Sequence, residues 1–192
     1  MFAQVNDMLP QWLVERVTAE SGGFPTVELR MQFSIELSRL NVERGTGGPF
    51  GAAVFDMHSW RLIAAGVNRV APLNSSIAHA EMLAIAGAQQ KLESFDLGAE
   101  GLPRCELVTS CEPCAMCFGA IPWSGIRSVV CGATAADAQR IGFDEGPRHS
   151  DWKAELEKRG VAVQTGACRD AAAKVLDDYY AGNGLIYNGR KG

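Results

Sequence analysis

The chain has 192 residues, 47% of them hydrophobic and 21% charged, a balance that excludes a disordered or fibrous polymer and suffices for one domain with a continuous core. A net charge of −4 and a pI near 5.4 provide no basic surplus of the kind that gathers on phosphate backbones, so nucleic acid is not expected as a partner. No apolar run approaches the roughly 20 residues that cross a bilayer, and Met1 to Pro10 carries no basic region followed by an apolar stretch; no membrane partner and a cytoplasmic location are expected.

Residues 1–25 contain Gly22, Gly23 and Pro25 and show no sustained period, which reads as a loosely ordered arm before a single domain over 26–192. Leu29, Phe33, Leu37 and Leu40 then share one helical face, and Gly45, Gly47 and Gly48 end the helix. Gly51 to Asp56 and Arg61 to Asn68 are short and apolar, joined by Met57-His58-Ser59-Trp60, the pattern of an antiparallel hairpin with His58 in a solvated turn. His79 to Leu92 is rich in Ala, Met, Leu and Ile and predicts a helix buried against the sheet. A strand at Glu106 to Ser110, a helix opening at Pro113, a strand at Ser128 to Gly132 and a helix at Ala135 to Ile141 follow. After a loop through Gly146 come a helix at Trp152 to Lys158, a short strand at Val161 to Gln164 and a helix at Asp170 to Tyr180. Alternating strands and helices imply parallel neighbours, so the predicted architecture is α/β: a three-layer α/β/α sandwich around a mixed sheet of about five strands.

Three of the six cysteines, Cys111, Cys114 and Cys117, crowd into seven residues, a metal-ligand spacing more than a disulfide framework. Cys105, Cys131 and Cys168 lie among apolar or small residues and read as inert thiols. Pro113 marks a helix start, because its missing N–H would have no partner there. Cys114 and Cys117, three apart, then share one face of the first turn, where the helix dipole favours thiolates. A lone Cys-x-x-Cys also fits a redox dithiol or half of a structural zinc site. His79-Ala80-Glu81 upstream sharpens the reading, since His-x-Glu followed by Pro-Cys-x-x-Cys is the pattern of zinc nucleobase deaminases. Three ligands, His79, Cys114 and Cys117, leave tetrahedral Zn2+ a fourth place for water, whose pKa the metal lowers from about 15.7 to about 7. Glu81, two residues past the His ligand, is placed to move protons without binding the metal. Two alternatives use Cys111: a closed Cys₃His structural site, which leaves Glu81 without a role, and an iron–sulfur cluster, for which position 121 is Ile rather than a fourth Cys.

On these residues the chain resembles the cytidine-deaminase-like superfamily, and within it the bacterial guanine deaminases, from about Gly48 to Asn188. The similarity is carried by Gly48-Pro49-Phe50-Gly51-Ala52-Ala53, Asn68-Arg69-Val70, His79-Ala80-Glu81, Thr109 to Cys117 and Ile141 to Pro147. The resemblance implies a purine base or related heterocycle as partner. Asn68 would bond the purine edge, Phe50 and Phe143 would border the ring, and Glu145 would contact the departing amino group as a second catalytic carboxylate. Ala80 and Asp144 join the expected substrate-binding residues. Taken alone, Asn68 reads equally well as a turn former, Phe50 and Phe143 as core aromatics and Asp144-Glu145-Gly146 as a solvated turn. The resemblance also implies a homodimer whose C-terminal segment reaches over the partner's site; the break at Gly182-Asn183-Gly184 before Leu185-Ile186-Tyr187 suits a docking tail without saying whose surface receives it.

The expected function is therefore hydrolysis of guanine to xanthine and ammonia, with related aminated rings such as ammeline as further substrates. A deaminase of another base, a nucleoside or transfer-RNA adenosine is the alternative within enzymes, and a structural zinc interaction module the alternative outside them.

Overall fold

The computed structural model describes residues 5–188, and among these small residues decide how closely the layers stack. In chain order the elements are α1 (Val5–Met8), α2 (Gln11–Ala19), α3 (Val27–Glu43), β1 (Gly51–Asp56), β2 (Leu62–Val67), α4 (Val70–Leu73) and α5 (Ala80–Lys91). They continue with β3 (Cys105–Cys111), α6 (Ala115–Ser124), β4 (Ser128–Ala133), α7 (Ala135–Arg140), α8 (Trp152–Glu157), β5 (Ala162–Gln164) and α9 (Arg169–Ala181). The sheet order is β2-β1-β3-β4-β5. β1 pairs antiparallel with both β2 and β3, while β3, β4 and β5 run parallel, so the predicted mixed five-stranded sheet is what forms. Every residue of β3 and β4 is buried, as strands covered on both faces require.

Two apolar clusters flank the sheet and complete the three-layer sandwich. One joins Met31, Phe33 and Leu37 of α3 with Val175 and Leu176 of α9, and the other joins Ala84 and Ile85 of α5 with Ile121 of α6 and Trp152 and Leu156 of α8. α5 lies directly on β2 because residue 66 is glycine: a Cβ there would fall 2.3 Å from the Ala80 carbonyl oxygen and 2.6 Å from the Ala84 nitrogen. That contact sets the height of the α5 N-terminus above the sheet.

The structure corrects the expectation for the N-terminal segment. Instead of a loose arm, α2 buries Trp12 and Leu13 in the same cluster as Phe33 and Phe55. Its N-cap is Pro10 with no side-chain capping bond, so packing rather than a sequence signal holds this short helix. α3 also buries more than the expected stripe. Arg30, Ser34, Ser38 and Asn41 face inward with Phe33 and Leu37, while Leu29 is 44% exposed. The small serines bring the helix close to the sheet, where the Ser34 hydroxyl donates to the Val108 carbonyl at 3.0 Å, and Arg30 pairs with Glu106 at 2.7 Å.

Candidate active site

Two helix N-termini meet at one point. His79 is the N-cap of α5 and Cys114 the N-cap of α6, each with extended backbone and neither using its side chain to cap the helix. Both side chains are thereby free to point away from their own helix. The helix expected to open at Pro113 begins at Ala115, which leaves Cys114 just outside it and Cys117 in its first turn. The His79 Nδ1 lies 3.5 Å from the Cys114 Sγ and 3.6 Å from the Cys117 Sγ. A tetrahedral ion with ordinary Zn–S and Zn–N bond lengths sets such nitrogen–sulfur separations at about 3.6 Å, so the three donors fit zinc. Among the described residues no other group of His, Cys, Asp or Glu side chains converges in this way. Cys111 points elsewhere: its buried thiol donates to the Thr134 carbonyl at 3.5 Å, and burial raises its pKa. The closed four-ligand site and the cluster are therefore not built. Cys105 and Cys131 are buried with pKa values raised by burial, as inert thiols should be, whereas Cys168 is only half-buried.

The charges around the point suit a cation. Hydrogen bonding from the Cys117 thiol, then from His79, lowers the Cys114 pKa to about 4, while the same bond and burial raise that of Cys117. The pair thus carries one negative charge until a metal displaces the second proton. Glu81 is raised by burial and then by the Cys114 charge, and Glu145 is pushed up to about 8 by burial, then by Cys114 and Glu81. A bound cation opposes the thiolate part of both shifts and favours the carboxylate forms.

Phe50, Asn68, Phe143, Asp144 and Glu145 join His79, Glu81 and Cys114 around a cavity of about 260 Å³. The rings of Phe50 and Phe143 meet edge-on at 5.0 Å. Glu145 is buried while its neighbour Asp144 is exposed at the rim, where its side chain accepts from the Gly146 N–H at 2.8 Å. Ala80 is not among the lining residues; it is buried, with its carbonyl oxygen over Gly66.

Residues distant in sequence also reach the site, among them the expected C-terminal docking tail. The Tyr187 hydroxyl accepts from the Asn68 amide, and its ring sits 5.4 Å from Phe143 and 6.5 Å from His79. Asn188 accepts from the Asp144 N–H and donates to the Gly142 carbonyl, both at 2.9 Å. In the single chain the C-terminal segment therefore lies over the chain's own cavity. Arg148 donates to the buried Glu112 carboxylate and to the Pro113 carbonyl at 3.2 Å, and the Ala115 N–H donates to the Glu145 carbonyl at 2.9 Å. The loop bearing Glu145 is fastened at two places to the turn bearing Cys114.

A family model described as the cytidine and deoxycytidylate deaminase zinc-binding region matches residues 26–133. Guanine deaminase of Bacillus subtilis (strain 168) is 37% identical over 134 residues, covering 70% of this chain and 81% of that protein. Among solved structures, guanine deaminase from Nitrosomonas europaea shares 53% identity at a TM-score of 0.87, covering 90% of this chain and 94% of the other. A neighbour crystallised in complex with 2,6-diaminopurine shares 54% identity at a TM-score of 0.89, covering 94% of each chain. With this match spanning both ligand motifs and three donors gathered at zinc distances, the chain belongs to the cytidine and deoxycytidylate deaminase zinc-binding family and takes zinc as its cofactor.

Proposed function

We propose that the protein is a guanine deaminase, converting guanine and water to xanthine and ammonia. The observation that carries this reading is the meeting of two buried carboxyl groups, Glu81 and Glu145, with the Asn68 amide around one small cavity beside the zinc ligands. His79, Cys114 and Cys117 would hold the metal, which when bound supplies Lewis acidity and an activated water at neutral pH. Glu81 takes the proton of the water that attacks C2 and delivers it to N3, so the ring gains a hydrogen as the new C–O bond forms. The emptied carboxylate then takes the proton of the new hydroxyl on C2 and passes it to the amino group, and Glu145 assists as the C–N bond breaks, leaving a carbonyl at C2 and ammonia. Asn68 reads the purine edge, and Phe50 and Phe143 border the flat ring and keep the cavity poor in water. Asp144 contributes the rim.

The cavity volume, about 260 Å³, lies just below the roughly 300–1,000 Å³ of sites for larger ligands, which favours a free base over a nucleoside or a transfer-RNA loop. Ammeline offers the same amino, ring N–H and carbonyl edge and is a second expected substrate. The reading is completed by a homodimer that acts in the cytoplasm on the free purine base. Among the described residues no helix is long and apolar enough to cross a membrane.

Ammonia release from guanine, ammeline, cytosine, adenine, cytidine and guanosine tests the assignment. Turnover of guanine is expected, and turnover of cytosine or cytidine alone would overturn it. Glu81→Gln is expected to keep zinc and fold while losing about 10²- to 10⁴-fold in rate. Undiminished ammonia release from that variant would remove Glu81 from the chemistry. A structural zinc module, by contrast, would tolerate the change and release no ammonia from any base.

A further inference from the structure

Asn41 lies at the inner face of α3, wholly buried, and its carboxamide is fully used. Its Nδ2 donates to the Gly48 and Asn68 carbonyls, both at 2.8 Å. Its Oδ1 accepts from the Thr46 hydroxyl at 2.7 Å, and that hydroxyl accepts in turn from the Trp12 indole N–H at 3.0 Å. The two carbonyls belong to the segments that carry cavity walls. Gly48 precedes Phe50, and the Asn68 N–H donates to the Phe50 carbonyl at 3.0 Å, so Asn41 ties together the backbone that presents Phe50 and the backbone that presents the Asn68 amide.

The fit is close enough to transmit small displacements. A Cβ at Gly47 would lie 1.9 Å from the Asn68 carbonyl oxygen and 2.7 Å from the Asn41 Nδ2, so the 46–48 loop rests on Asn68 with no space between. A second tie runs beside the first. Arg69, next in the chain, donates to the Thr46 carbonyl and, at 3.3 Å, to the Met8 carbonyl. Trp12 and Met8 both lie before the region matched by the family model.

We propose that Asn41, Thr46 and Trp12 form a positioning relay through which the N-terminal helix sets the orientation of Asn68 and hence the affinity for the base. The relay rests on the reading of Asn68 as the group that contacts guanine. None of the three side chains lines the cavity, so they act through Asn68 and not on the substrate.

Thr46→Val keeps the shape of the side chain and removes the hydroxyl at the middle of the relay. It is expected to raise KM for guanine about 3- to 10-fold, the scale of one or two net hydrogen bonds, with kcat within about twofold of wild type. Zinc content, at one per chain, should not change. In an Asn68→Ala background the same substitution should leave KM where Asn68→Ala alone puts it, because the group being positioned is gone. Trp12→Phe removes the indole N–H together with part of the buried ring and should shift KM in the same direction; it carries the test if Thr46→Val fails to unfold cooperatively. Unmoved KM in a folded Thr46→Val or Trp12→Phe protein, or an equal shift in the Asn68→Ala background, would overturn the relay while leaving the guanine reading intact. A wild-type protein that releases no ammonia from guanine would overturn both.

Discussion

Arg148 is one of two fastenings of the loop that bears Glu145. Its guanidinium bridges the buried Glu112 carboxylate and the Pro113 carbonyl while lying over the Trp152 ring at 5.0 Å. Arg148→Met should cost about 2 kcal/mol by urea unfolding, since charge-assisted bonds to a buried carboxylate are lost, and should lower kcat about tenfold by loosening the loop that bears Glu145. Full activity at reduced stability would confine Arg148 to a role in folding. The residues readable from sequence were those whose chemistry is local. His79 and Glu81 stand two apart and Cys114 and Cys117 three apart, so spacing alone announces a shared target. Arg148 and Asn41 act on partners 36 and 27 residues away, and nothing in their own neighbourhoods reports those partners.

Among the elements, α5 and α6 are joined to each other most directly by what their first residues bind. His79 and Cys114 leave their helices uncapped by side chains, and the metal that both would hold cross-links two elements lying 35 residues apart in sequence. Zinc at a thousandfold excess over its Kd would stabilise the folded chain by about 4 kcal/mol. For a chain of this size that corresponds to about 8–16 °C in the unfolding midpoint. Chelation should therefore lower Tm by this amount in a calorimetric scan, and added zinc should restore it; an unchanged midpoint would show that the ligands do not bridge the helices. The strands and long helices were legible because each carries several turns or alternations of pattern. β1 and β2 were found with nearly their full bounds, including the turn that leaves His58 exposed. α2 was missed because nine residues without a capping side chain have little intrinsic preference, and its burial of Trp12 is visible only once α3 and the sheet are in place. The inward arc of α3 was misjudged for a related reason: serine reads as a surface residue until a sheet lies against it.

At the scale of the whole molecule, segments near both ends of the chain close on the same cavity. The N-terminal helix reaches it through Trp12 and Thr46, and the C-terminal segment covers it with Tyr187 and Asn188. The three-layer fold was foreseeable from the alternation of strands and helices, and a docking tail from the break at Gly182 to Gly184; the receiving surface and the approach of the N-terminal helix were not, because they depend on contacts such as that of Asn68 with Tyr187, 119 positions apart. The bond between them has a consequence for binding. On the proposed role of Asn68, the amide that would meet the purine already has a tenant, and an arriving base would compete with the phenol of Tyr187. Apparent affinity is then the intrinsic value scaled by the fraction of time the tyrosine stands aside. Tyr187→Phe keeps the ring and evicts only the hydroxyl, so it should tighten binding of 8-azaguanine about 3- to 10-fold in a calorimetric titration. Weaker binding would instead make the phenol a ligand of the base. Self-competition of this kind sacrifices some tightness of capture for a receptor whose amide, between turnovers, stays bonded to the phenol.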